Sequence, residues 1–215
     1  IAGIGISGIT IFEDINYTET EVGSSLELSY LNNGGGLGAN FFIYFDALPM
    51  GIAIEYSKEI IPNPLNVKMS TTDDSYSFDL FPQAQISDYF TIRKQIMELS
   101  IPFLASSSLY IGGGFNKHKT VFPSINLLKE IINNPNIDSD SLIDEFTTQN
   151  PTFNVSDFTD YFEDSNGAHI QAGIQIKILM LNAFINTRYT FITKNDSQIN
   201  RTGFANILVG LALGL

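Results

Sequence analysis

Residues 167–178 read GAHIQAGIQIKI. Ala168, Ile170, Ala172, Ile174, Ile176 and Ile178 hold one set of alternate positions, and His169, Gln171, Gly173, Gln175 and Lys177 hold the other. Successive side chains of a β-strand point to opposite faces, so a strand here has one wholly apolar face and one polar face.

Working outward, the same period recurs. Leu181, Ala183, Ile185, Tyr189 and Phe191, with Thr187 among them, alternate with Asn182, Asn186, Arg188 and Thr190. From 203 to 215, Ala205, Ile207, Val209, Leu211, Leu213 and Leu215 make an unbroken apolar row opposite Asn206, Gly210, Ala212 and Gly214, beside Phe204 and Leu208. Upstream, Leu37, Ala39, Phe41, Ile43 and Phe45 oppose Gly38, Asn40, Tyr44 and Asp46. Ile52, Ile54, Tyr56 and Ile60 oppose Ala53, Glu55, Ser57 and Glu59. Residues 108–117 carry Leu109, Ile111 and Phe115 against Tyr110, Gly112, Gly114 and Asn116. Residues 87–99 alternate less cleanly, and a bulge at Arg93–Lys94 would restore their apolar row. A first strand over 25–31 makes eight.

Connection lengths then select the architecture. The links at 47–50, at 100–105 and near Met180 are short, whereas 61–85 and 118–166 are long. Short turns at one end and long loops at the other are the pattern of an outer-membrane barrel. A soluble sandwich has no reason to sort its loops this way. Charged residues make up only 16% of the chain against 44% hydrophobic, so much of the exterior is expected to face something other than water. No run of 18 apolar residues exists, which excludes an ordinary transmembrane helix. A membrane-spanning chain must then be a closed barrel, because lipid leaves open sheet edges unsatisfied. The net charge of −12 argues against nucleic-acid binding, which needs a basic stripe. The lack of cysteine removes thiol catalysis, Cys-based metal sites and disulfides together. The chain opens on Ile1 rather than methionine, which reads as processing or truncation.

The expectation is therefore an all-β, eight-stranded antiparallel up-and-down transmembrane barrel over 25–215, with a long, partly helical outer loop at 118–166. Residues 1–24, Gly/Ile-rich at their start, read either as an extra strand or as a plug. In the loop, Ser124 caps a helix whose Ile125, Leu128, Ile131 and Ile132 form one stripe before Pro135. Ser141 and Asp144 have capping-box spacing, and Phe158, Tyr161 and Phe162 mark a third turn.

These rows, above all Ile207, Val209, Leu211, Leu213 and Leu215 at the terminus, resemble the small outer-membrane barrels of Gram-negative bacteria, in the porin-like superfamily. Members of that family usually finish on an aromatic residue, where this chain has Leu215. The resemblance implies an outer-membrane location, loops facing outward and turns facing the periplasm. It implies no single activity, since the family spans passive anchors, adhesion factors, narrow pores and lipid-modifying enzymes.

On the inner face the alternation places Glu55, Glu59, Arg93, Lys177 and Arg188. Buried charges need partners, so a structural charge network is expected, with Asp46 and Glu27 as further carboxylates. His118 and His169 fall on the same face near the outer rim. No helix-borne metal spacing, nucleophile elbow or phosphate-loop lysine accompanies them. The acids Asp138, Asp140, Asp144 and Glu145 lack the EF-hand spacing and read as a solvated loop. The functional expectation is a non-enzymatic anchor with no catalytic, metal or cofactor site. It would contact outer-membrane lipid, and the loop residues Ile125, Leu128, Ile131, Ile132, Phe158, Tyr161 and Phe162 would form either a small cap over the barrel mouth, the preferred reading, or a surface that meets a protein or cell-surface partner. The alternatives are a narrow pore for ions or small solutes, a lipid-modifying barrel enzyme, and a lipocalin-like soluble barrel with the faces reversed.

Overall fold

A computed structural model describes residues 2–33, 36–101, 105–149, 161–195 and 201–214. Its strand segments are β1 (Ala2–Phe12), β2 (Asp14–Thr20), β3 (Glu27–Asn33), β4 (Leu37–Leu48), β5 (Ile52–Ser70), β6 (Ser75–Ile101), β7 (Ala105–Val121), β8 (Phe162–Ile178), β9 (Leu181–Asn195) and β10 (Gly203–Gly214). Eight of them close a barrel. β4 pairs with β1 and β5, and the ladder continues through β6, β7, β8, β9 and β10 back to β1. Each pairing is antiparallel, so no membrane-embedded edge is left open.

The strand count stands at eight, but its membership differs from the sequence reading. The closing stave is β1, whose Gly3 lies opposite Gly214 and whose Ala2 lies opposite Phe45. Residues 2–12 thus belong to the barrel and are not a plug. The expected strand at 25–31 is not a separate stave. β3 and β4 run in the same direction along β5, with Leu31 opposite Asn66 and Ala39 opposite Ile60. The expected loop at 61–85 is not a loop either. β5 and β6 stay paired from Ile52–Lys94 up to Ser70–Ser75, and the hairpin closes where the Thr71 N–H donates to the Asp74 carbonyl at 2.8 Å. The ladder irregularity on β6 lies between Gln95 and Met97 rather than at Arg93–Lys94.

Lipid-facing positions match the alternation. Ile174, Ile176, Val209 and Leu211 are each 45–58% exposed, as an apolar belt requires, whereas Gln175 is half-buried and turns inward. Staves of 9–11 residues, tilted, span a bilayer, and β8 supplies such a run from Ala168 to Ile178. Two glycines let neighbouring staves approach closely: a Cβ on Gly114 would collide with the Phe90 carbonyl oxygen, and one on Gly167 with that of Phe191.

Above the outer rim, β2, β3 and the far halves of β5 and β6 continue as a tall wall. Two helices pack against its inner face. In α1 (Ile125–Ile131), Ser124 accepts from the Leu127 N–H at 3.2 Å, the cap read from sequence. A 3-10 turn at Ser139–Ser141 leads into α2 (Leu142–Gln149). Leu26 just before β3, Leu28 and Tyr30 of β3, Leu65, Val67 and Met69 of β5, and Phe81 of β6 form one buried cluster with Leu127, Leu128, Leu142 and Phe146.

Candidate functional site

Two regions hold the expected functional residues: the barrel lumen and the cap over it. From the turn end upward, the lumen is filled in tiers. Arg93 forms ion pairs with Asp46 at 3.0 Å and Glu55 at 3.1 Å. Its guanidinium lies over the rings of Tyr110 at 4.8 Å, Tyr44 at 5.3 Å and Phe184 at 5.8 Å. Planar, weakly hydrated guanidinium suits both contacts. A cavity of about 60 Å³ opens at this end and is bounded by Asp46, Arg93, Gln95, Ser108, Tyr110 and Gln175.

In the next tier Arg188 is paired with Glu59, both wholly buried. Arg188 also donates to Gln171 at 3.2 Å and stacks on Tyr89 at 4.0 Å. Above it the two histidines flank Tyr89, with ring centroids 5.5 Å (His118) and 5.1 Å (His169) away. Asn116 links them: its carbonyl oxygen lies 2.8 Å from His118 Nε2, and its amide lies 3.5 Å from His169 Nδ1. Ser87 Oγ sits 2.7 Å from His118 Nδ1, and Thr91 Oγ1 sits 2.9 Å from His169 Nε2. An Nε2–H tautomer on both rings satisfies every one of these bonds. Serine, imidazole and amide in line are parts that a hydrolase uses. Here Ser87 is fully buried and also accepts from Gln85 at 3.1 Å. The histidines are not joined by a third metal-ligating group among the described residues.

The top tier was not legible from alternation. Arg201 makes a two-pronged contact with Glu13, at 2.6 and 2.7 Å, and donates to Thr120 at 3.1 Å and Gln85 at 2.7 Å. Its guanidinium faces Phe204 and Phe122. Two-pronged arginine–carboxylate geometry is the strong form of the pair, and this one seals the barrel under the cap.

Of the predicted charge network, then, the structure brings Glu55, Glu59, Arg93 and Arg188 into two buried pairs. Lys177 does not join. It is half-buried at the turn end, opposite Ser106 and Asn182, and has no carboxylate partner among the described residues. Glu27 is exposed and is also no partner.

Of the two arrangements expected for the loop residues, cap or contact surface, the described ones take the first and turn inward. Ile125, Leu128 and Ile132 are buried in the cap cluster, and Ile131, Tyr161 and Phe162 pack against it half-buried. Phe158 lies outside the described residues. Apolar area of this size is worth about 25 cal/mol per Å² when removed from water, so the stripe closes onto the wall rather than waiting for a partner.

A set of carboxylates ties the cap to the β2–β3 hairpin. Glu19 accepts from the Ile125 N–H at 3.2 Å. Glu21 accepts from Lys129 at 3.2 Å and from the Ser139 hydroxyl. Asp140 accepts from the hydroxyls of Ser24 and Ser25 and from the Ser25 N–H, each at 2.8 Å. These donors hold the Glu21 and Asp140 carboxyls below their ordinary pKa, the Ser139 hydroxyl leading for Glu21 and the Ser24 hydroxyl for Asp140. Burial pushes Glu19 upward, opposed by the Ile125 N–H.

No family model and no curated protein matches the sequence. Among solved structures the chain is similar to Neisserial surface protein A (NspA), at 8% identity with a TM-score of 0.53, covering 100% of this chain and 97% of that one. It also matches Ail, the attachment invasion locus protein of Yersinia pestis, at 10% identity and a TM-score of 0.43, covering 99% and 96%. At such identity the first likeness is one of fold: the chain is a small eight-stranded barrel of the outer-membrane type. The apolar belt marks a wall built to face lipid.

Proposed function

We propose that the barrel is a non-enzymatic anchor and that the cap is the part of the molecule that meets the outside. The observation that carries this reading is the cap's own apolar core, built on strands extended beyond what a bilayer needs. A hairpin linking two staves requires only a few residues, whereas β5 and β6 continue for some ten residues past the belt and receive two helices. The lumen beneath supports an anchor more than a conduit, since Arg93, Arg188 and Arg201 cross it at three levels, each held by a carboxylate.

The surface on offer is polar. Asp73 and Asp74 at the hairpin tip, Asn133, Asn134 and Asn136 after α1, and Asp138, Asp140 and Asp144 nearby are all exposed. Such a surface favours polar or cationic partners and repels anionic ones.

The test replaces residues 124–163 by a short linker. The shortened protein should still fold, resist heat in detergent, and lose whatever surface adhesion or assembly the parent cell displays. Full retention of that behaviour would move the function away from the cap. In planar bilayers the purified parent should give no steady conductance, and a steady conductance would instead establish the pore.

A further inference from the structure

Charged side chains on the lipid-facing side of a barrel are expensive near the bilayer centre and tolerated toward its interfaces, where lipid head groups can meet them. This wall carries a cluster of them. Along one hydrogen-bonded row, Phe41 of β4, Lys58 of β5, Asp88 of β6 and Lys117 of β7 are direct cross-strand neighbours, all facing outward. Lys58 pairs with Asp88 at 3.2 Å, and the Tyr56 hydroxyl donates to the same carboxylate oxygen. Lys117 pairs with Asp164 at 3.3 Å, and exposed Lys119 stands two residues further out. Tyr56 and Ile60 flank Lys58 on its own strand, and Phe90 and Ile86 flank Asp88. The cluster therefore sits at the upper margin of the apolar belt rather than beyond it. In a chain of net charge −12, these three lysines against Asp88 and Asp164 leave a local excess of one positive charge.

A groove begins at Lys58. It has a volume of about 460 Å³ and an almost wholly apolar lining that includes Ile4, Ile6, Phe41, Tyr56 and Leu211. It runs from Lys58 toward the turn end, reaching Leu181 and Leu213. A lipid of the outer leaflet has this polarity, with its head at the outer rim and its chain directed toward the bilayer centre.

We propose that this face binds one phosphate-bearing lipid, its acyl chain in the groove beside Tyr56 and its phosphate at Lys58, with Lys117 and Lys119 behind. Asp88 competes for the Lys58 ammonium, so the ion pair is the ligand-free arrangement and opens when the phosphate arrives. The site is independent of the cap and of the function assigned to it.

Native mass spectrometry of the intact protein, released from detergent, reads occupancy directly. The probes are phosphatidylglycerol, diacylglycerol with the same chains, and glycerol 3-phosphate. One phosphatidylglycerol should be retained and neither of the others, since each lacks half of what the site recognises. A basic residue near an anionic lipid surface is worth roughly 1 kcal/mol, about fivefold in affinity, so Lys58→Gln with Lys117→Gln should weaken binding by about twenty-five-fold. Asp88→Asn should raise occupancy. Equal retention of diacylglycerol would overturn the proposal by reducing the groove to ordinary lipid contact. Parallel loss in Lys58→Gln and Asp88→Asn would overturn it by making the pair merely structural. A lipid-free two-copy species lost in the same variants would assign the face to self-association instead.

Discussion

The lower and upper halves of β5 present one continuous strand in two solvents. Odd-numbered residues point inward along its whole length. Below the rim those inward residues are Ala53, Glu55, Ser57 and Glu59, while Ile54, Tyr56 and Ile60 face lipid. Above it the inward residues include Leu65, Val67 and Met69, all buried, while Asn66 and Lys68 face water. The strand does not turn over; its polarity inverts between Ile60 and Leu65. In the barrel, the apolar side of the sheet is out because lipid is out, and the lumen is stabilised by paired charges. In the cap, water is outside and the hydrophobic effect drives the same inward face into a helix-covered core. The comparison teaches that inward and buried are fixed by the sheet, whereas apolar and polar are set by what surrounds it.

The largest effects should come from leaving a charge alone inside the barrel. Arg188→Met strands the wholly buried Glu59 carboxylate, and removing one partner of a buried pair costs about 3–5 kcal/mol. Urea unfolding in detergent should show that loss in the barrel transition. In the cap the rule reverses, and an apolar truncation does the damage. Phe146→Ala, in the centre of the buried cluster, should cost about 3–5 kcal/mol. That loss should appear as protease sensitivity of the cap while the barrel keeps its heat resistance. If both variants weakened both regions equally, the two cores would be one.

Lysine on outward-facing positions sharpens the contrast further. Val209→Lys, in the belt, should cost about 2–4 kcal/mol. Asn66→Lys, on the outward face of the upper wall, should stay within about 0.5 kcal/mol. Chemical denaturation of the two variants side by side measures the difference.

Acid should separate the regions most gently. Glu21 and Asp140 have lowered folded-state pKa values, so their contribution to cap docking is complete above the ordinary carboxylate range near 4. It is lost as pH falls through their folded values. Glu19 is shifted the other way, so its charged form opposes docking at neutral pH and its protonation on the way down relieves that cost. The protection of the α1 and α2 amides, relative to the intrinsic exchange rate at each pH, should therefore hold or rise slightly at first and then fall below about pH 4, with the protection of the barrel amides unchanged. A steady loss of protection from neutral pH downward would contradict the signs assigned to Glu19 and its neighbours.

How much of this was legible in the sequence follows from the same inversion. Alternation from Ala168 to Ile178 was plain because one environment lies on each side of β8 for that whole stretch. The hairpin of β5 and β6 was read as a long loop because its apolar positions change parity above Ile60, which breaks a single-row pattern without breaking the strand. β1 was obscure for another reason. Its inward positions run Gly3, Gly5, Ser7, Ile9 and Ile11, too small below and too apolar above to stand out against Ile4 and Ile6. The ion pairs of Arg93 and Arg188 were anticipated because both residues sit mid-strand with the right parity. Arg201 and Glu13 were missed because each flanks a strand rather than lying within one. Glu13 nevertheless continues the odd, inward parity of Ile9 and Ile11, which was the available signal. The loop stripe and its closing as a cap are legible from its apolar spacing, whereas the wall that it closes onto is not, because the upper halves of β5 and β6 look like loop.

The inversion along β5 can be measured directly, since the chain contains no cysteine and single cysteines report without background. Substituting Ile54, Tyr56, Ile60, Asn66 and Lys68 in turn walks outward along one face of one strand. With the protein in vesicles, a lipid-confined quencher should reach a fluorophore at 54, 56 and 60, and a membrane-impermeant maleimide should label 66 and 68 in the folded state. Equal lipid quenching at all five positions, or equal aqueous labelling at all five, would contradict a single strand passing from bilayer to water with its sidedness intact.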